Sequence, residues 1–337
     1  MSRWKQFRYR LEEAGCQLLA WCIPKLSRRS CARLANGLGA LAYLADGRGR
    51  AIAKANLVCV FGDRYTDRQR RAIIQASYRN FLRTMVDLFW APRLTPENYR
   101  EWIHLREQIP VFDGLKREKA GSVLLCGHFG NWEWSNLAAG FNGMHPVTVT
   151  ENFKNPRLTA IFKALREQGG STIIPQENSL LRMLKTVKRG GATALVIDLN
   201  LPPSQATTVV EAFRDPVTGE GFKMSVPILH AVLAQRAGAV LVPGETHPQS
   251  DGSALVKVLA PVAVLPGDSL RAIAQKCWDV LEAGIREYPE LYLWSYKHFR
   301  YLPKSAVRPY PFYSNESGKF EKLIRETAKQ EAANGAS

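Results

Sequence analysis

Long apolar runs are scarce in this 337-residue chain. In its first third, apolar stretches set among Arg and Lys are Leu18-Leu19-Ala20-Trp21-Cys22-Ile23-Pro24 and residues 34 to 45. Both fall short of the ~18 to 20 residues that cross a bilayer. The opening is also a poor secretory signal, since Glu12 and Glu13 interrupt it, Pro24 closes it, and Lys25, Arg28 and Arg29 follow. The six cysteines (16, 22, 31, 59, 126 and 277) include no Cys-x-x-Cys pair and none at ligand spacing from a histidine. That excludes the common zinc and dithiol motifs, predicts neither metal nor cofactor, and suits a reducing cytoplasm. No Gly-x-Ser-x-Gly elbow is present, which removes the usual serine-hydrolase reading. Internal repeats and Pro/Ser-rich linkers are missing as well, so neither a solenoid nor loosely tethered domains are expected.

Acidic residues are the other shortage. Asp and Glu number 30 against 46 Lys and Arg, a formal net charge of +16. The imbalance is concentrated in residues 1 to 100, which hold 19 basic and 7 acidic side chains. Such asymmetry calls for a polyanion, either nucleic acid or an anionic membrane. The aromatics favour the membrane. Trp4, Tyr9, Trp21 and Tyr43 stand among the apolar and basic residues, the composition of helices that rest in the headgroup layer. A basic nucleic-acid-binding protein would instead be retained on DNA in a salt-sensitive way, and no recognised motif for that role is present. The expected partner is therefore an anionic membrane surface and not nucleic acid.

What is there in quantity is core-forming sequence: 46% of residues are hydrophobic and 10% aromatic, enough for a substantial folded core. Periodicity predicts helices over residues 3–22, 28–45, 48–60 and 66–90, the last capped by Thr66. Beyond residue 103 strands and helices alternate. Strands are expected at 122–126, 146–150, 172–174, 192–197, 239–243 and 254–259. Helices are expected at 131–140, 156–168, 178–189, 225–237 and 268–287. This alternation predicts an α/β fold with a largely parallel central sheet flanked by helices. Residues 1–100 would form a helical membrane-associating region, 101–305 the α/β domain, and 306–337 a polar tail.

The densest chemistry lies in Leu-Leu-Cys-Gly-His-Phe-Gly-Asn-Trp-Glu-Trp, residues 124–134. His128 follows a short buried strand, at the edge where open α/β sheets place ligands. Gly127 and Gly130 bend the chain, so the Glu133 carboxylate is expected to fold back onto one ring nitrogen and leave the other for a substrate. A histidine so oriented is the minimal apparatus for activating a hydroxyl. Backbone N–H groups of Asn131 and Trp132, opening the next helix, would then face developing oxyanion charge. Cys126, two residues away, reads as a core residue. A hydrolase using His128 would need a serine nucleophile in the setting that the chain lacks.

His128, Asn131 and Glu133 within His-Phe-Gly-Asn-Trp-Glu resemble the signature of the lipid A secondary acyltransferases, within the wider glycerolipid acyltransferase superfamily. Further blocks fall in the same order: Asn56-Leu57, Asn155-Pro156-Arg157-Leu158, Arg166, Gly169, Asp198, and Pro289-Glu290-Leu291-Tyr292-Leu293-Trp294 leading into Arg300. The chain has Glu151 where members often carry a basic residue and Leu199 where they carry Gln, and it lacks a clear Phe-Phe-Gly segment. The resemblance implies an O-acyltransferase at the cytoplasmic face of the bacterial inner membrane. It would take an acyl thioester of acyl carrier protein or coenzyme A and acylate a membrane lipid, of lipid A precursor type or another acceptor. It also implies substrate contacts from Asn131, Arg157, Arg166 and Asp198, with Lys223 a further candidate for an anionic group.

Overall fold

The computed structural model describes residues 3–105, 109–215 and 217–334. Four helices open the chain: α1 (Arg3–Cys22), α2 (Arg28–Ala45), α3 (Gly47–Phe61) and α4 (Asp67–Trp90). Their starts follow local chemistry. The Ser27 and Asp46 side chains accept from the N–H groups of Ser30 and Gly49, and Thr66 with Gln69 forms a reciprocal capping box.

The alternating part runs β1 (Ile103–Leu105), α5 (Ile109–Arg117), β2 (Ser122–Cys126), α6 (Trp132–Phe141), β3 (Val147–Val149), α7 (Pro156–Arg166), β4 (Thr172–Ile174), α8 (Ser179–Lys188) and β5 (Ala192–Val196). It continues as β6 (Thr207–Ala212), β7 (Phe222–Pro227), α9 (Leu229–Ala237), β8 (Val240–Pro248), β9 (Ala254–Val258) and α10 (Leu270–Glu287), then β10 (Tyr301–Leu302), β11 (Asn315–Glu316) and α11 (Gly318–Asn334).

The central sheet has the order β1-β9-β8-β2-β5-β3-β4. The five strands from β8 to β4 are parallel, and β9 turns back antiparallel to β8. Both faces are covered, as parallel strands require. Val123 and Leu125 of β2 point into one core layer with Leu233, Ile273 and Leu281 of α9 and α10. Leu124 faces the other layer, with Leu88 of α4 and Trp134 and Leu137 of α6. The predicted α/β class and mostly parallel sheet are thus present.

Two expectations differ. No strand is expected in sequence between residues 198 and 238, and residue 225 reads as the start of a helix, whereas β6 and β7 form an antiparallel pair there and α9 starts at Leu229. Five of the six β6 residues are buried, so β6 shows no alternation of exposed and buried positions for a period-two reading to catch. β1 and α5 were likewise not read from sequence. Among the described residues no helix is long and apolar enough to cross a membrane.

Candidate active site

β2 ends between two parallel neighbours, β5 and β8, and the chain then leaves the sheet through Gly127, His128, Phe129 and Gly130. Asn131 caps α6, its side-chain oxygen accepting from the Trp134 N–H at 3.1 Å. Gly130 has a φ of +58°, and a Cβ there would lie 1.6 Å from the Thr246 carbonyl oxygen. Backbone approach and backbone conformation both demand glycine. The loop is fixed from three directions. Gly130 and Asn131 N–H groups donate to the carbonyls of Leu291 and Thr246, each at 3.0 Å, and Leu293 N–H donates to the His128 carbonyl at 3.1 Å. Asn80 and Thr84 of α4 both donate to the Gly130 carbonyl.

The His128 ring is held by Asp198, two residues beyond the end of β5. Nδ1 lies 2.9 Å from one carboxylate oxygen of Asp198, and the His128 backbone N–H donates to the other at 2.9 Å. β2 and β5 are adjacent and in register, so two residues 70 positions apart in sequence meet at one sheet edge. The Asp198 side chain is fully buried while that of His128 keeps 23% exposure, and Trp132 stands edge-on to the ring at 5.1 Å. Burial disfavours the charged ring, but the Asp198 carboxylate outweighs it, with Glu133 adding to the attraction, and the His128 pKa lies above its ordinary value. Burial likewise opposes ionisation of Asp198, yet its imidazole and backbone partners hold its pKa below the usual carboxylate value.

The expected partnership of Glu133 with the ring is not what forms. Glu133 points from the first turn of α6 to α7, where Arg166 grips it through two parallel hydrogen bonds, Nη2 to Oε1 at 2.6 Å and Nε to Oε2 at 2.9 Å. A planar guanidinium matches a carboxylate in this forked way, and Nδ1 of His128 is already taken. Glu133 therefore reaches the ring by charge and not by a hydrogen bond, and Arg166 is committed to Glu133.

The other candidates divide. Asn131 is buried, with Nδ2 donating to Asp87 at 2.9 Å and Oδ1 capping α6, so its side chain holds the loop. Its backbone N–H, expected to face an oxyanion, goes to Thr246 instead; Trp132 retains the position at the start of the helix. Arg157 pairs with Glu13 of α1 at 2.6 Å, and its neighbour Asn155 reaches the Tyr9 carbonyl and Glu12, so this block docks α1 onto α7. Lys223, on β7, lines a separate groove with Glu211, Arg308 and Tyr310.

Sequence reading missed the residue behind Asn131. Asp87, buried in α4, takes a hydrogen bond from Arg28 at 2.5 Å and one from Asn131. A lone acid in the apolar second half of a helix was the available signal. A narrow apolar slot of about 40 Å³ lies between α6 and the sheet, lined by Leu124, Cys126, Trp132, Ala139, Val242 and Val256. Trp132 belongs both to this slot and to the surroundings of His128. Among the described residues no group of three or more His, Cys, Asp and Glu side chains is arranged to hold a metal ion.

Residues 8–301 match the model of the bacterial lipid A biosynthesis acyltransferases. The chain belongs to that family. Membership over so much of its length makes it an O-acyltransferase of the lipid A biosynthesis type. Among relatives of this acyltransferase is the lipid A biosynthesis lauroyltransferase of Escherichia coli (strain K12). The two are 24% identical over 310 residues, covering 90% of this chain and 95% of that enzyme.

Proposed function

We propose that the enzyme transfers a fatty acyl group from an acyl thioester, of acyl carrier protein or coenzyme A, to a hydroxyl of a membrane glycolipid of lipid A precursor type. The observation that carries this reading is the His128–Asp198 pair at the carboxyl ends of two adjacent parallel strands, beside an apolar slot. With Nδ1 held by Asp198, Nε2 is the nitrogen left to act as general base. It takes the proton of the acceptor hydroxyl while that oxygen attacks the thioester carbonyl. The tetrahedral intermediate collapses with loss of the thiolate, which recovers the proton from the imidazolium. Help of this kind is worth on the order of 10² to 10⁴ in rate. A thioester has a good leaving group, so no acyl-enzyme is invoked.

In this reading Glu133 and Arg166 shape the site as a neutralised pair, and Glu133 steadies the imidazolium from a distance. The N-terminus of α6 supplies positive potential toward the oxyanion. The slot beside Trp132 receives the first part of the acyl chain. In this reading the site works at the cytoplasmic face of the bacterial inner membrane, and the exposed side chains of the first helix support a contact with that surface. Trp4 and Trp21 of α1 are 72% and 64% exposed, alongside exposed Phe7, Leu11 and Leu18 and the Lys and Arg residues between them. A strongly basic surface also suits an acidic carrier protein as donor.

The test is transfer of label from radiolabelled acyl carrier protein to a total membrane lipid extract. Wild type should give a labelled lipid, with His128→Ala abolishing it and Asp198→Asn lowering kcat on the order of 10² to 10⁴-fold. Equal transfer by wild type and His128→Ala would end the general-base mechanism.

A further inference from the structure

α8 carries the chain from β4 back to β5 and covers the same face of the sheet as α9 and α10. Met183 and Val187 fix its inner side within that core layer, and Leu184 packs against them. Because β4 runs parallel to the strands beside it, α8 begins at the carboxyl edge, where His128 and Asp198 stand.

Its outer side opens with Leu180 and Leu181, 36% and 61% exposed, and continues with exposed Arg182, Lys185, Lys188 and Arg189. No acidic residue occurs between Glu177 and Asp198. Among the described residues none of these four cations forms an ion pair. The helix gains nothing from the arrangement. Side chains three and four apart are neighbours on a helix, so Lys185 is crowded by Arg182, Lys188 and Arg189, and like charges at that spacing destabilise. The helix dipole favours cations in the last turn, which accounts for Lys188, but Arg182 lies in the first turn, at the positive end. A face of this kind calls for an anionic partner outside the molecule.

Position separates the two candidates, a membrane and an acidic protein. α1, with its exposed Trp4, Phe7 and Trp21, packs on α7 and joins the core layer on the opposite face of the sheet through Cys16 and Ala20. α8 carries no aromatic ring, the feature expected of a helix in the headgroup layer. With a bilayer against α1, the outer face of α8 is open to a soluble partner.

We propose that the outer face of α8 docks an acidic acyl carrier protein, which delivers its thioester to the carboxyl edge from the side of the sheet opposite α1. The cations steer and orient the partner, and Leu180 and Leu181 supply an apolar contact at the end nearest that edge. The identity of the occupant rests on the acyl-transfer reading, and the inference selects carrier protein over coenzyme A as donor.

The test is binding of fluorescently labelled acyl carrier protein to the full-length enzyme, read by anisotropy without turnover, beside sedimentation with anionic vesicles. A variant with Arg182→Glu, Lys185→Glu and Lys188→Glu should bind the carrier protein about 10- to 100-fold more weakly, because like charges then face each other. Its vesicle partitioning should match wild type. Added salt should weaken wild-type binding and narrow the gap between the two proteins. If the Glu variant fails to fold, the same three positions changed to Gln decide. Relief of the repulsion should leave that Tm equal or higher, while binding still falls about 5-fold. Carrier-protein binding unaffected in a folded variant overturns the proposal, and so does a parallel fall in vesicle partitioning, the sign of general charge attraction. If wild type binds the carrier protein through α8 but transfers no acyl group, the functional reading fails and the docking surface stands. Transfer from acyl-coenzyme A with no carrier-protein binding keeps that reading and ends this one.

Discussion

Protonation of His128 governs the expected pH dependence. A base must be neutral to accept a proton, and Asp198 holds the imidazolium form above the ordinary value of 6.5. The kcat/KM should therefore rise with pH to a plateau, with an apparent pKa above 6.5, as read from initial rates across pH 5 to 9. The same charge contributes to folding in the opposite sense. A histidine whose pKa is raised on folding stabilises fully below its unfolded value, and that stabilisation is lost as pH rises through the folded value. The depressed Asp198 contributes above its unfolded value and is lost as pH falls through the folded one. His128 was legible from its own neighbours, two glycines and a strand end. Its carboxylate partner was assigned wrongly, because Glu133 is five residues away in sequence while Asp198 is brought close only by the pairing of β2 with β5. Asp198 was read as a residue that lines the site, and only strand order shows that it holds the ring.

Among the elements, the turn from β2 into α6 tolerates the least change. Gly130→Ala should cost at least about 1 kcal/mol, since alanine is strained at positive φ and its Cβ meets the Thr246 carbonyl. Denaturant midpoints and activity should both drop. The Arg28–Asp87–Asn131 chain ties α2 and α4 to the same turn. Asp87→Ala leaves Arg28 buried without its carboxylate and should cost about 3 to 5 kcal/mol, seen as a lowered Tm. The helices of the first hundred residues were readable because caps and amphipathic faces are local signals. The β6–β7 hairpin was not, since strands buried along most of their length carry no alternation. Asn155-Pro156-Arg157-Leu158 shows a related limit: the block was recognisable, but its use in docking α1 depends on a partner 144 residues away.

For the molecule as a whole, basic charge and exposed aromatics concentrate in the amino-terminal helices, while the proposed catalytic pair stands at the sheet edge. A Trp4→Ser, Phe7→Ser, Trp21→Ser variant should keep its far-UV circular dichroism yet partition less onto anionic vesicles. Added salt should weaken the remaining binding further. Sedimentation with vesicles of defined composition checks this; unchanged partitioning would remove α1 from the proposed membrane contact. One more consequence follows from the way residues 291–293 clasp the His128 loop. The ribosome makes that clasp ~160 residues after the loop itself, some 8 to 30 s later at ordinary elongation rates. The proposed bilayer contact of the amino-terminal helices would therefore be open to a nascent molecule before its proposed catalytic centre is assembled.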